Sequence, residues 1–302
     1  LLAAGLTATI GSPRAAAQAP GRPSPFAFCL NMSTIRGHEL DAAAEIEVAG
    51  QAGYDAIEPW FRKIDAYVQG GGKLADLRKR IEDHGLEVAS AIGFASWIVD
   101  DDAERTAGFE TAKRDMDTLA QLGGTRLAAP PAGAKTPVDL DRAAERYRAL
   151  LELGDRMGVV PQIEMWGGHP AIGTVDKAIT IAIKADHPKA CFLGDVFHTY
   201  KGGSGFEGFR LLGPRALLAF HLNDYPANPP RSEIKDEHRV YPGDGIAPIT
   251  ELLRTFLEIG ASPALSLELF NKSYWERPAA EVARTGLEKM RAAVALALEP
   301  VA

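Results

Sequence analysis

Two hydrophobic periods take turns along this chain. Phe26 to Leu30 is an apolar run of strand length, and His38 to Gln51 spaces its apolar residues as a helix does before stopping near Gly53. Tyr54 to Ile57 reads as the next strand; Leu74, Leu77 and Ile81 then mark one helical face, ended by Gly85. Leu86 to Ala91 predicts a third strand, and Phe109, Met116 and Leu119 stripe a helix that Gly123-Gly124 stops. Thr125 to Ala129 is a weak fourth strand, after which Thr136 is expected to cap a helix with Pro137 at its first position, running to Met157. The fifth strand runs from Val159 into Glu164, and its helix opens at Thr174 and reaches about Ala185. The sixth runs from Ala190 to Asp195 and precedes a short helix around Phe206 to Leu212. The seventh runs from Ala216 to His221; the loop Asn223 to Gly245 then leads to a helix over Ile249 to Ile259. The eighth runs from Ala264 to Glu268, and a helix over Ala279 to Leu298 follows.

Eight strand-then-helix units in succession predict an α/β fold, a single (β/α)8 TIM barrel over residues 26–302. An open doubly wound sheet is the alternative, but it needs a Gly-rich phosphate turn after an early strand. Gly70-Gly71-Gly72 follows no strand and lacks that spacing.

Glu164, Asp195, His221 and Glu268 stand at the ends of strands five to eight in turn. A carboxylate or imidazole at the end of a buried strand is costly unless a positive charge or a substrate pairs with it. In a barrel these ends gather on one face as an arc of neighbours, within reach of one ion. Each residue taken singly also reads as a salt-bridged strand end.

The composition is that of an ordinary globular chain of 302 residues, 46% hydrophobic and 24% charged, with a net charge of −7. No Lys/Arg run draws it to nucleic acid or to anionic lipid. Cys29 and Cys191 fall on the first and sixth strands, which are not barrel neighbours, so both are expected as buried free thiols. Leu1 to Ile10 is apolar, and Ala15-Ala16-Ala17-Gln18-Ala19 offers A-x-A sites before the Pro-rich stretch Pro20 to Pro25. Residues 1–25 thus resemble the back half of an export signal and a linker, with a tag as the bland alternative; the expected location is the periplasm or beyond. With the signal removed, no membrane association is expected.

Read together, several short motifs resemble one family. Ala52-Gly53-Tyr54-Asp55-Ala56-Ile57-Glu58, Gln162-Ile163-Glu164 and Gly194-Asp195-Val196-Phe197-His198 come first. Phe220-His221-Leu222-Asn223-Asp224, Arg239 with Pro242-Gly243-Asp244-Gly245, and Leu267-Glu268 follow in order. Over Phe26 to Leu298 the chain is similar to the xylose isomerase-like TIM barrels of the sugar phosphate isomerase/epimerase superfamily. The resemblance implies a divalent metal held by Glu164, Asp195, His221 and Glu268, with Glu58, His198 and Arg239 facing the substrate.

Three carboxylates and one imidazole form a hard ligand set, suited to Mn²⁺ first, with Mg²⁺, Co²⁺ or Zn²⁺ also usable. Such an ion can chelate a ketone oxygen and the adjacent hydroxyl of a sugar and stabilise the enediolate left when the α-proton departs. Glu164 and Glu268 could flank that enediolate, one removing a proton and the other returning it. The bland readings are a structural His198, a Glu58 paired with a cation, and an Arg239 replaced in its role by Arg231. Trp60, Trp97 and Trp166 sit just past strands, where stacking on a sugar and packing at the barrel mouth are both open; Trp166 is taken as a substrate contact. His38, His84, His169, His187 and His238 are expected on the surface.

The leading functional reading is an isomerase or epimerase of a sugar or keto-sugar. The alternative is a lyase or dehydratase acting on a keto-inositol or 3-keto-glycoside through the same intermediate. A three-zinc abasic-site endonuclease of this superfamily needs histidines where this chain has Glu58 and Trp97. A non-enzymatic sugar-binding protein completes the set. The expected partner is a small carbohydrate, with homo-oligomerisation left open. If residues 1–25 do carry an export signal, N-terminal sequencing of the protein from its native host should find a mature start near Gln18 or Pro20; residues 1–15 intact would refute export.

Overall fold

The structure, a computed structural model, describes residues 24–300. The expected signal lies almost wholly outside them. Eight parallel strands are β1 (Phe28–Asn31), β2 (Ala56–Glu58), β3 (Glu87–Val88), β4 (Arg126–Ala129), β5 (Val160–Glu164), β6 (Phe192–Asp195), β7 (Ala219–Leu222) and β8 (Ala264–Leu267). The helices are α1 (Ala42–Ala52), α2 (Phe61–Gln69), α3 (Leu74–Asp83), α4 (Asp102–Gln121), α5 (Leu140–Met157), α6 (Val175–Lys184), α7 (Val196–Gly202), α8 (Ile249–Glu258) and α9 (Ala279–Leu298).

The hydrogen-bonded order β3-β2-β1-β8-β7-β6-β5-β4 makes the first and last strands neighbours, so the sheet curls on itself as the predicted TIM barrel. Its ladder has one seam, between β3 and β4, bridged by the Ala128 amide donating to the Ala91 carbonyl at 3.0 Å. Leu, Ile, Phe and Val from the helices and the outer strand faces form the large core.

Strand alternation decides what fills the middle. Cys29, Ala56, Ala89 and Ala264 form a separate small cluster. Ser266 Oγ approaches Cys29 Sγ at 3.5 Å, and Gln162 Nε2 donates to Ser90 Oγ at 3.2 Å. Two residues further along the strands come Asn31, Glu58, Glu164 and Glu268, now at the C-terminal rim. Small residues low in the barrel thus leave the polar side chains to converge at its top. Both cysteines are buried and free, as expected.

Helix starts follow carboxylate caps. Asp41, Asp101 and Asp139 accept backbone N–H bonds at the starts of α1, α4 and α5. The expected Thr136 cap is therefore displaced to Asp139, whose Oδ1 takes the amides of Asp141 and Arg142 at 3.0 and 2.9 Å. Two helices escaped the sequence reading: α2, which follows directly on the β2 loop, and α7, which begins on the residue after the Asp195 strand end. None of the described helices is long and apolar enough to cross a membrane.

Glu45 of α1 is buried, with Lys63 of α2 at 3.6 Å as its ion-pair partner. Burial raises its pKa from 4.5 to about 7, and Lys63 offsets only part of that. A carboxyl whose folded pKa lies above its unfolded value carries no penalty in acid. It destabilises the fold progressively as pH rises from 4.5 to about 7. Glu45→Gln should therefore raise stability by about 2–3 kcal/mol at pH 8 and leave it nearly unchanged at pH 4. Urea unfolding at the two pH values checks this; equal effects at both would remove the burial argument.

Candidate functional site

β5 ends on Glu164, β6 ends on Asp195, β7 carries His221 and β8 is followed at once by Glu268. In-register pairing of Asp195 with His221, and of His221 with Ser266, sets these side chains next to one another on the inner face. His221 is fully buried at the centre. Its Nδ1 faces Glu268 Oε2 at 3.1 Å, Asp195 Oδ2 at 3.5 Å and Glu164 Oε1 at 3.9 Å, and makes no hydrogen bond. Ligand atoms of Asp195, His221 and Glu268 lie within 4.8 Å of one another. A buried imidazole nitrogen without a hydrogen bond, turned toward three carboxylates, is a donor set that fits a divalent cation held by oxygen and nitrogen.

The other ring nitrogen is fixed from below. His221 Nε2 lies 3.1 Å from Glu58 Oε2, which also accepts from Ser266 Oγ at 2.6 Å and Asn31 Nδ2 at 2.9 Å. Burial alone would raise the Glu58 pKa, but His221 and these hydrogen bonds outweigh it and keep the carboxylate ionised. This anion assigns the Nε2 proton and turns Nδ1 toward the carboxylates. The expectation that Glu58 faces substrate is therefore corrected. Fully buried, it lies beneath the imidazole, drawn there by three donors.

Crowding raises the cost of charge at this point. Burial pushes the Glu164 carboxyl up to about 8, His221 pulls it down, and Glu268 and Asp195 push it up again. Burial would lower the His221 pKa, yet Glu268 and Glu58 reverse this and hold it well above the usual range.

Arg239 supplies the compensating cation. Its Nη1 donates to Asp195 Oδ2 and Glu268 Oε2, each at 2.8 Å, and its Nη2 donates to Asp236 Oδ1 at 2.6 Å. The guanidinium also stacks on Phe197 at 4.6 Å. Arg239, not Arg231, is thus the arginine of the site.

Asp195 has two tasks. Its Oδ1 accepts the His198 amide at 2.8 Å and caps α7, while its Oδ2 joins the carboxylate cluster. That cap places His198 in the first turn of α7, where its Nε2 lies 3.1 Å from Arg239 Nη2. With Nε2 accepting from Arg239, the His198 proton belongs on Nδ1, which is buried and has no partner. Burial is the main cause that lowers the His198 pKa, so the ring is neutral.

Above the cluster opens a cavity of about 950 Å³, with Glu164, Glu268, His198 and Arg239 on its floor and Trp60 and Trp166 among its walls. Trp166 is held by the loop after β5, where a Cβ on Gly167 would lie 2.5 Å from the His198 carbonyl, so loop and α7 touch backbone to backbone. Trp97 is not at the mouth. It is fully buried, donates to the Pro130 carbonyl and packs on Tyr147. His169, expected on the surface, lines the cavity edge-on to Trp166. Asn31, Ser266, Asn223, Phe94 and Phe270 were missed. The period-two alternation that leads from Cys29 to Asn31 and from Ser266 to Glu268 was the signal for two of them.

A family model described as xylose isomerase-like TIM barrel matches residues 46–293. An inosose isomerase of Bacillus velezensis is 24% identical over 274 residues, covering 88% of this chain and 96% of that one. A 3-dehydroshikimate dehydratase of Pseudomonas putida is 23% identical over 82% of this chain, which spans 39% of the longer enzyme. Among solved structures, the IOLI protein with a bound zinc atom superposes with a TM-score of 0.84 at 22% identity, covering 91% of this chain and all of that one.

If Glu58 orients His221 and the cluster takes a divalent cation, Glu58→Gln should weaken the binding of that cation about 10- to 100-fold. Calorimetric titration of the metal-stripped protein, with unfolding checked in parallel, reads this directly. Unchanged affinity in a folded variant would leave the hydrogen bonds of Glu58 merely structural.

Proposed function

The chain belongs to the xylose isomerase-like TIM barrel family, and from that premise we propose that it is a metal-dependent isomerase or epimerase of a sugar or keto-sugar, working by proton transfer through an enediolate. The observation that carries this reading is the pair Glu164 and Glu268, the two carboxylates on the cavity floor, set either side of His221 Nδ1 at 3.9 and 3.1 Å.

Glu164, Asp195, His221 and Glu268 would hold the ion, for which Mn²⁺ is proposed. When bound, it would supply Lewis acidity that stabilises negative charge on a ketone oxygen. Glu164 takes the α-proton on its carboxylate, and Glu268 returns a proton to the opposite face. His198, held with its Nε2 against Arg239, lines the cavity floor and can contact a substrate there. Arg239 fixes Glu268 and Asp195, and Trp166 offers a face on which a sugar ring can stack.

The second reading is a dehydratase acting through the same enediolate, supported by the similarity to the 3-dehydroshikimate enzyme of Pseudomonas putida. Both readings take a small carbohydrate-like substrate. Periplasmic export is proposed with them, on the A-x-A run alone.

Substrate turned over in D₂O should gain deuterium at the α-carbon, because a carboxylate at an open barrel mouth exchanges its proton with water. With inosose, an isomerase gives a product altered in mass only by the label; with 3-dehydroshikimate, a dehydratase releases water. Glu268→Gln should abolish turnover together with metal affinity. His198→Ala, which removes one positioning contact, should cost on the order of a hundredfold in kcat/KM. Product without solvent deuterium would sink the two-glutamate proposal.

A further inference from the structure

Of the two arginines that line the cavity, Arg36 is the one the proposed reaction leaves unused. It lies in the 3-10 turn Met32–His38 that follows β1, and it lines the cavity wall. Its guanidinium carbon stands over the rings of Trp60, Phe270 and Trp275 at 5.4, 5.0 and 5.6 Å. Among the described residues, nothing accepts a hydrogen bond from its side chain and no carboxylate pairs with it.

Two of the other three cations of the cavity are committed. Arg239 is taken by Asp195, Asp236 and Glu268, and Lys272 Nζ lies 2.7 Å from Glu237. The aromatic rings hold the faces of Arg36 and leave its N–H edge without an acceptor. Burial, followed by the charge of Arg62, pushes its pKa down, and the more distant Glu268 and Asp236 offset only part of this.

The position relative to the floor is also defined. Trp60 Nε1 donates to Asn31 Oδ1 at 3.0 Å, and Asn31 Nδ2 reaches toward Glu268 Oε1 at 3.4 Å. Arg36 therefore stands one ring away from the carboxylates that would exchange the proton. Glu164 and Glu268 on the floor are assigned to the reacting carbons, so a charged end of the substrate has its place at the wall. The cavity of about 950 Å³ is at the upper end for drug-sized ligands and leaves room beyond one sugar ring.

We propose that Arg36 is an anion subsite, and that the substrate of this cavity is an acidic keto-sugar whose carboxylate or phosphate lies at the end remote from the reacting carbons. This rests on the proposed function and narrows its substrate class. The guanidinium edge presents paired N–H donors to two oxygens of one anionic group, the arrangement in which arginine recognises both carboxylate and phosphate. Lys235 also lines the cavity, beside Asp236 and Glu237.

D-fructose, D-fructuronate and D-fructose 6-phosphate share one ketose frame and differ at the sixth carbon. Titrated calorimetrically into the metal-loaded full chain, one or both of the anionic ligands should bind about 10- to 100-fold more tightly than fructose. The tighter of the two identifies the anion. Arg36→Met, which keeps the stem packed among the rings, should bring the anionic ligands down to the affinity of fructose, while Arg36→Lys retains part of the preference. Equal affinity of all three for the unaltered protein, or an equal loss of all three in Arg36→Met, overturns the subsite and leaves Arg36 a packing residue. Solvent deuterium exchange in the same samples separates the two proposals: exchange without charge preference sinks the subsite alone, and charge preference without exchange sinks the reaction alone. Binding of none of the three at millimolar concentration overturns both.

Discussion

Repulsion among buried carboxylates is the constraint on which the top of this barrel depends. Glu164, Asp195 and Glu268 crowd one imidazole nitrogen, with Glu58 bound to the other. Such a cluster could not remain ionised in a dry interior without compensation. Arg239 bridges Asp195 and Glu268 from one side, and His221 stands between them. Removing either cation would leave uncompensated buried charge, whereas a divalent ion placed among the carboxylates would meet ligands already gathered for it.

That gathering is a property of the strands before it is one of the site. Inward positions low in the barrel are small, Cys29, Ala56 and Ala264 among them, so the polar residues two positions further along meet near the axis. Loops then add further residues that line the cavity. The Asp195 cap turns the chain into α7 and delivers His198, and the loop after β7 brings Arg239 back over Phe197.

Much of this was legible in the sequence. Short apolar runs ending in Glu164, Asp195, His221 and Glu268 located both the strands and the cluster, because a polar residue closing a buried strand has few explanations. Glu58 was found but misplaced. Its strand-end position says that it points inward, while whether it meets substrate or His221 depends on Ser266 and Asn31 across the sheet, which local patterning does not encode. Helix α7 was missed for a related reason: the run Val196-Phe197-His198-Thr199-Tyr200 is rich in β-branched and aromatic residues and suits a strand, and the Asp195 cap overrides that preference. Arg36 and Phe94 lie in segments without periodicity, so nothing but the fold could bring them to the cavity.

The floor and the wall of this cavity consequently have different freedom to drift. Asn31, Glu58, His221 and Ser266 interlock through shared hydrogen bonds, so the energetic effect of a change at one depends on which residue stands at the next. Phe94, Phe270 and Trp275 stand on connecting segments and meet the cavity through ring faces, where one substitution leaves the barrel ladder untouched. Single substitutions at the wall can therefore reshape the cavity while the hydrogen-bonded floor beneath it stays as it is.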